Sequence, residues 1–141
     1  MRKALAAALC LVLLAASGTA LAEKTVTLTF VGDCTLGGED WLINREGSFH
    51  DYARKEGYTY FFEKLRDFFS EDDLTIINFE GVLKDDSRDA VNKTYCFRGP
   101  TDFARILPLS SIEAVNLDNN HTLDYGKRGK TSTVEALTGA G

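Results

Sequence analysis

The stretch Ile112-Glu113-Ala114-Val115-Asn116-Leu117-Asp118-Asn119-Asn120-His121-Thr122-Leu123-Asp124-Tyr125-Gly126 passes from an apolar run into a cluster of amide, carboxylate and imidazole side chains, then leaves through a glycine. A strand that ends this way delivers ligating groups to the end of a sheet, because the strand is rigid and the loop beyond it is exposed. In open α/β sheets that end is where ligands bind. Read in isolation, Asn119-Asn120-His121 is better explained as an Asn/Asp turn that happens to contain a histidine. The rest of the chain decides between the two.

Two upstream segments repeat the pattern. Thr25 to Val31 is rich in β-branched residues and predicts a first strand, which runs into Gly32-Asp33 and the glycine-rich Cys34 to Asp40. Those glycines let the backbone turn sharply and approach a ligand closely. Leu74 to Asn78 predicts a second buried strand, followed by Phe79-Glu80-Gly81. Side chains two apart on an extended chain share a face, so Asn78 and Glu80 point together while Phe79 turns to the core.

Helical signals lie between the strands. Ser48 caps a short helix over Phe49 to Glu56, stopped by Gly57. Phe61, Phe62, Leu65, Phe68 and Phe69 then make an amphipathic stripe, which predicts one helix over Tyr58 to Phe69 packed on the sheet. His50 reads as a surface or packing residue, and Lys84 to Lys93 as a solvated loop. Tyr95 to Gly99 reads as a short strand, and Pro100 opens a helix through Leu107. Ser132-Thr133-Val134-Glu135 has the form of a helix N-terminus, continuing to Thr138 with Gly139-Ala140-Gly141 as its end. Strands alternating with helices predict an α/β fold, a largely parallel or mixed sheet with helices on its faces. The alternation calls for a further strand after that last helix, so residues 23–141 are expected to be the N-terminal portion of a domain truncated at its C-terminus.

Met1-Arg2-Lys3, thirteen apolar residues from Ala4 to Ala16, and Ala20-Leu21-Ala22 form the basic, apolar and cleavage regions of a signal peptide over residues 1–22. The apolar run is too short to span about 30 Å of hydrocarbon. Export and cleavage before Glu23 are expected, giving an extracytoplasmic or cell-surface protein. Removing Arg2 and Lys3 leaves 14 basic against 21 acidic residues, a net charge of −7. That balance argues against nucleic acid, whose binding rests on neutralising phosphates. Cys34 and Cys96 could bridge in such a compartment, or either could be a small buried hydrophobe.

Three strand ends therefore finish in polar residues: Asp33; Asn78 with Glu80; and Asn119, Asn120, His121 and Asp124. Carboxylate, amide oxygen and imidazole around one cleft describe a site for a divalent ion such as Mn²⁺, Mg²⁺ or Zn²⁺. Such an ion activates water and polarises a phosphoryl or acyl oxygen. These segments resemble the capsule-synthesis, poly-gamma-glutamate-synthesis (CapA-type) proteins, a family similar in fold to the calcineurin-like metallophosphoesterases. The resemblance runs from about Val26 to the end, and the Asn-Asn-His-x-x-Asp-x-Gly block is its most specific part.

The resemblance implies a metallophosphoesterase-like layered sheet with flanking helices, present only in part. It implies Asp33, Glu80 and Asn120 as metal ligands, His121 as a general acid or oxyanion partner oriented by Asp124, and Asn78 and Asn119 in support. Thr35 stands where the broader phosphoesterases carry a histidine, and their downstream histidine motifs do not occur in this sequence. The implied function is metal-assisted hydrolysis or transfer on a capsule or poly-gamma-glutamate polymer, within a membrane-associated synthesis complex. The alternatives are a non-enzymatic accessory or scaffold subunit and simple phosphoester hydrolysis. Gly129-Lys130-Thr131 ends like a phosphate-binding loop, but Asp124 occupies the position where that loop needs its first glycine, so this reading is dismissed.

Overall fold

The computed structural model describes residues 24–141, so the leader expected over 1–22 lies outside the described residues. Strands β1 (Leu28–Cys34), β2 (Leu74–Phe79) and β5 (Ala114–Asn116) form a parallel sheet in the order β1-β2-β5. A second parallel pair joins β3 (Val82–Leu83) to β4 (Arg98–Gly99). The helices are α1 (Phe49–Glu56), α2 (Arg66–Ser70) and α3 (Gly126–Ala140), with 3₁₀ turns at Asp40–Leu42, Tyr58–Phe62, Thr101–Ile106 and Pro108–Ser110. The expected α/β class, a parallel sheet with flanking helices, is what the chain forms.

Alternation along β2 sets the layers. Thr75, Ile77 and Phe79 are buried, whereas Leu74, Ile76 and Asn78 on the other face are partly open. Ile77 and Phe79 join Leu36, Phe69, Leu83, Phe103, Ile106 and Ile112 in the main core cluster. β1 is an edge strand and not a buried one, and Phe30 is 72% exposed.

The registry of β1 contains an irregularity that places the first carboxylate. Leu28 pairs with Leu74 and Phe30 with Ile76, but Asp33 pairs with Asn78. Three steps on β1 thus match two on β2, a bulge of one extra residue. Side chains alternate faces along a strand, so in a regular ladder Asp33 would point away from the face that Phe30 occupies. The bulge returns it to the face shared by Ile76 and Asn78. Asp33 therefore lies inside the strand, which starts and ends three residues later than the sequence predicts.

Several expectations are corrected by the packing. The aromatic stripe is not one helix: a 3₁₀ turn covers Tyr58–Phe62, and α2 begins only at Arg66. Phe69 is buried and Phe61 and Phe62 pack on the core, while Leu65 and Phe68 face solvent. Aromatic residues lose rotamer freedom in a helix, and the entry to α2 at Leu65 has no side-chain cap. The segment after Pro100 is 3₁₀, not α.

α3 starts at Gly126, six residues before the expected Ser132, and runs through Ala140. Ser132 does not cap it. The Ser132 hydroxyl donates to Leu83 O at 2.7 Å and Thr133 Oγ1 accepts from Leu83 N at 2.9 Å, so both clamp the helix to β3. Gly129-Lys130-Thr131 lies within this helix, in keeping with its dismissal as a phosphate loop. His50 is 5% exposed beside Phe103, with ring centroids 5.2 Å apart, which resolves it as a packing residue.

The glycine-rich loop after β1 serves the fold and not a ligand. Gly38 and Arg98 exchange backbone hydrogen bonds of 3.1 and 2.8 Å. A Cβ on Gly99 would lie 2.1 Å from Leu36 O, and one on Gly37 would lie 2.3 Å from Arg98 O. The two segments cross backbone to backbone, and only glycine permits that approach. Gly37 also has φ +140°, which L side chains rarely adopt.

Candidate functional site

The parallel strands bring their C-terminal ends together, and a row of amides and one carboxylate crosses them. Asp33 sits opposite Asn78, and Asn78 opposite Asn116. Asn78 Nδ2 donates to Asp33 Oδ1 at 2.7 Å. Its Oδ1 accepts from Asn116 Nδ2 at 2.8 Å and from Asn119 Nδ2 at 3.1 Å. Asn78 is thus the hub of the row and not a peripheral support. Asn116, absent from the sequence-derived set, belongs to it; its position as the penultimate residue of an apolar run was the available signal.

Asn119 carries the row into the next loop. Its Nδ2 also donates to Phe79 O at 2.8 Å, and its Oδ1 accepts from His121 N at 2.9 Å. The Thr122 hydroxyl donates to Leu117 O and closes the turn. These bonds hold the His121 loop against the end of β2.

His121 is 7% exposed and Asp124 1%. His121 Nδ1 lies 2.7 Å from Asp124 Oδ2, the pairing that the family resemblance implies. Two further residues complete this cluster. Lys93 Nζ lies 2.9 Å from Asp124 Oδ1, 2.8 Å from Asn120 O and 3.2 Å from His121 Nδ1. Phe97 stacks on the imidazole with centroids 4.3 Å apart, and its N–H donates to Asp124 Oδ2 at 2.8 Å. The Lys84–Lys93 segment is therefore not simply a solvated loop: Lys84 is buried at its start, and Lys93 enters the site at its end. No local pattern in the sequence marks Lys93, because its partners lie about thirty residues away.

The buried Asp124 carboxylate has both oxygens occupied, Oδ1 by Lys93 and Oδ2 by Phe97 N–H and the imidazole. Since Oδ2 is the stronger partner for Nδ1, the arrangement favours a proton on Nδ1 and leaves Nε2 as the nitrogen available for chemistry. Lys93 neutralises the charge that Asp124 brings into this low-dielectric region. Cys34 and Cys96 flank the site as free thiols. Burial and then the neighbouring Asp33 carboxylate push the Cys34 thiol up, and burial and then Asp124 do the same for Cys96. Both shifts favour the protonated thiol over the thiolate.

The recorded contacts of the other expected ligands run through their backbones. Glu80 is tied through its backbone, its N–H donating to Cys34 O at 3.0 Å, and Asn120 contributes its carbonyl to Lys93 while its side chain is exposed. Among the described residues no three His, Cys, Asp or Glu side chains come together as a metal-holding group. One Asp33 oxygen already accepts from Asn78, and the Asn78 oxygen is taken by two other amides. The residues present do not make up a complete centre for a divalent ion.

Residues 27–141 match the family model described as bacterial capsule synthesis protein PGA_cap. A Mycobacterium tuberculosis protein with the name "Probable polyglutamine synthesis accessory protein" is 39% identical over 69 residues, 49% of this chain and 18% of its own length. The capsule biosynthesis protein CapA of Bacillus anthracis is 26% identical over 119 residues, 82% of this chain and 26% of its own length. The matched stretches thus span about a fifth to a quarter of these relatives. The family match covers most of the chain, which accordingly belongs to the bacterial capsule synthesis family.

Proposed function

We propose that this member of the bacterial capsule synthesis family is an exported protein that acts on a cell-surface polymer of the capsule or poly-gamma-glutamate kind, with His121 as its proton-handling residue. The observation that carries the reading is the His121 Nδ1 to Asp124 Oδ2 contact of 2.7 Å, set directly beside the amide row. In this reading Asp124 and Phe97 hold the ring and Nε2 gives or takes the proton at a polymer bond. The row from Asp33 to Asn119 supplies hydrogen-bonding groups that seat the bond, as a preorganised polar surface does. Export rests on the leader-like residues 1–22, and Glu23 as the first residue of protein recovered outside the cell would support it.

Incubation of the protein with poly-gamma-glutamate, read as chain length by size-exclusion chromatography, tests the catalytic reading. Shortening or end-group transfer that disappears in His121→Ala and falls in Asp33→Ala is expected. Equal turnover by both variants and the wild type would sink it. A divalent ion enters this proposal only as a weakly held one, with Asp33 and Glu80 as its carboxylates. Calorimetry with Mn²⁺, Mg²⁺ and Zn²⁺ on the wild type and Asp33→Ala measures that affinity.

The second reading is a non-enzymatic accessory subunit of a polymer-synthesis complex. The accessory role in the printed name of the mycobacterial relative supports it, as does the incomplete metal-ligand set among the described residues. Polymer that is retained but never shortened, by the wild type and His121→Ala alike, would favour this reading.

A further inference from the structure

The exposed face at the start of α3 carries a concentration of positive charge that nothing in the fold uses. Gly126 to Lys130 contains Lys127, Arg128 and Lys130 and no acid, and the first acid of the helix is Glu135. The chain as a whole has a net charge of −5, so this cluster runs against the overall balance. The helix buries Gly129 and Thr133 against β3. Lys127 and Lys130 are therefore turned to solvent, one turn apart, and line a shallow groove of about 490 Å³ with Thr131, Val134 and Glu135.

Neither lysine has an ion-pair partner among the described residues, and Arg128 reaches only Asp89, at 3.8 Å with its own side chain 80% exposed. Lys127 and Arg128 stand in the first turn of the helix, where positive charge opposes its dipole. Local conflicts of this kind mark places where a sequence serves something other than its fold. The cluster also borders the site described above. α3 follows directly on Asp124-Tyr125, and Asp89, the Arg128 partner, belongs to the segment that carries Lys93 to His121. Arg88 on that segment, 79% exposed, is held by Asp86 at 2.8 Å and does not add to the cluster.

We propose that Lys127, Arg128 and Lys130 form a docking surface for a flexible polymer bearing repeated carboxylates, leading it toward His121. This rests on the polymer reading above and adds to it the surface that holds the polymer. Charge complementarity selects the partner. Exposed ammonium and guanidinium groups spread along a groove suit a string of carboxylates, which needs charge at intervals and no shaped pocket.

The test uses a fluorescently labelled γ-linked glutamate oligomer and measures binding by anisotropy across a range of salt. In Lys127→Glu/Lys130→Glu the affinity at low salt should fall about tenfold or more and lose most of its salt dependence. Lys64→Glu/Arg66→Glu makes the same charge change on other exposed residues and should leave binding within about twofold of the wild type, since distant exposed charges are screened. A γ-linked glutamine oligomer should not bind. Equal weakening by both double variants would reduce the effect to net charge and overturn the docking surface. Equally tight binding of a DNA duplex would make it a general polyanion surface, and unaltered affinity in Lys127→Glu/Lys130→Glu would remove it; each overturns the proposal. Failure of the polymer reading looks different: the wild type itself binds no glutamate oligomer, and both proposals fall together.

Discussion

Lys93 and Asp124 form an ion pair of 2.9 Å between segments 31 residues apart, with the carboxylate 1% and the ammonium side chain 33% exposed. The pair ties the loop before β4 to the turn that carries His121. Lys93→Met should cost about 2 kcal/mol in urea unfolding, because it strands a buried carboxylate. Lys93→Arg should recover part of that loss. A Lys93→Met variant as stable as the wild type would mean that Phe97 N–H and His121 satisfy Asp124 by themselves.

Asn78 makes three side-chain hydrogen bonds across all three strands of the main sheet. Asn78→Ala should destabilise by about 1–2 kcal/mol, at the lower end for buried groups since the row is partly open. Asn116→Ala should cost less, because the Asn116 amide makes one bond to the hub. Asn78→Asp should be worse than Asn78→Ala at neutral pH, since it sets a second carboxylate against Asp33. Denaturant midpoints of the three variants give the order directly.

His50 is buried, and its Nε2 has no hydrogen-bond partner among the described residues. Burial first, then the Arg98 and Arg54 charges, lower its pKa from the ordinary 6.5. A histidine kept neutral in the fold binds fewer protons than in the unfolded chain, so stability is complete above about pH 6.5 and falls as the pH drops below it. The loss stops growing once the pH passes below the lowered folded pKa. Melting temperatures across this range should fall less steeply in His50→Phe than in the wild type, and identical slopes would count against the titration.

Gly99→Ala should destabilise by about 1–3 kcal/mol, the usual range for overpacking. Its Cβ would meet Leu36 O at 2.1 Å and Phe103 Cδ2 at 2.9 Å, and the backbone cannot retreat without breaking the Gly38–Arg98 bonds. Gly139→Ala has open space around the new methyl and should stabilise α3 by up to about 1 kcal/mol. Opposite signs for two identical substitutions in thermal melts are the expected outcome.

What could be read from the sequence was whatever a local pattern encodes. Strand alternation placed Asn78 with its side chain off the core, and the run into Asn119-Asn120-His121 located the loop that holds His121 and Asp124. Long-range pairing stayed hidden. Lys93 resembles any lysine in a polar segment until the fold brings Asp124 to it, and Asn116 is inconspicuous until Asn78 faces it. Ser132 and Glu135 satisfy a capping pattern, yet the Ser132 hydroxyl has a better partner in Leu83 O than the helix start could offer. The spacing of Leu65 and Phe68 obeys helical periodicity, but the backbone between Phe62 and Arg66 turns both side chains outward.

The extra residue between Phe30 and Asp33 makes the pairing of β1, as much as its composition, a determinant of the site. At unchanged length a regular ladder would pair Asp33 with Phe79 and carry its carboxylate through the sheet to the side where Ile77 and Phe79 pack, whereas deleting Gly32 leaves two steps against two and keeps Asp33 opposite Asn78. When this chain is aligned with longer relatives, a one-residue gap at that point therefore matches carboxylates on the same side of the sheet. Deletion of Gly32 thus removes the bulge and not the placement of Asp33, and a length variant of β1 separates the two as no substitution does.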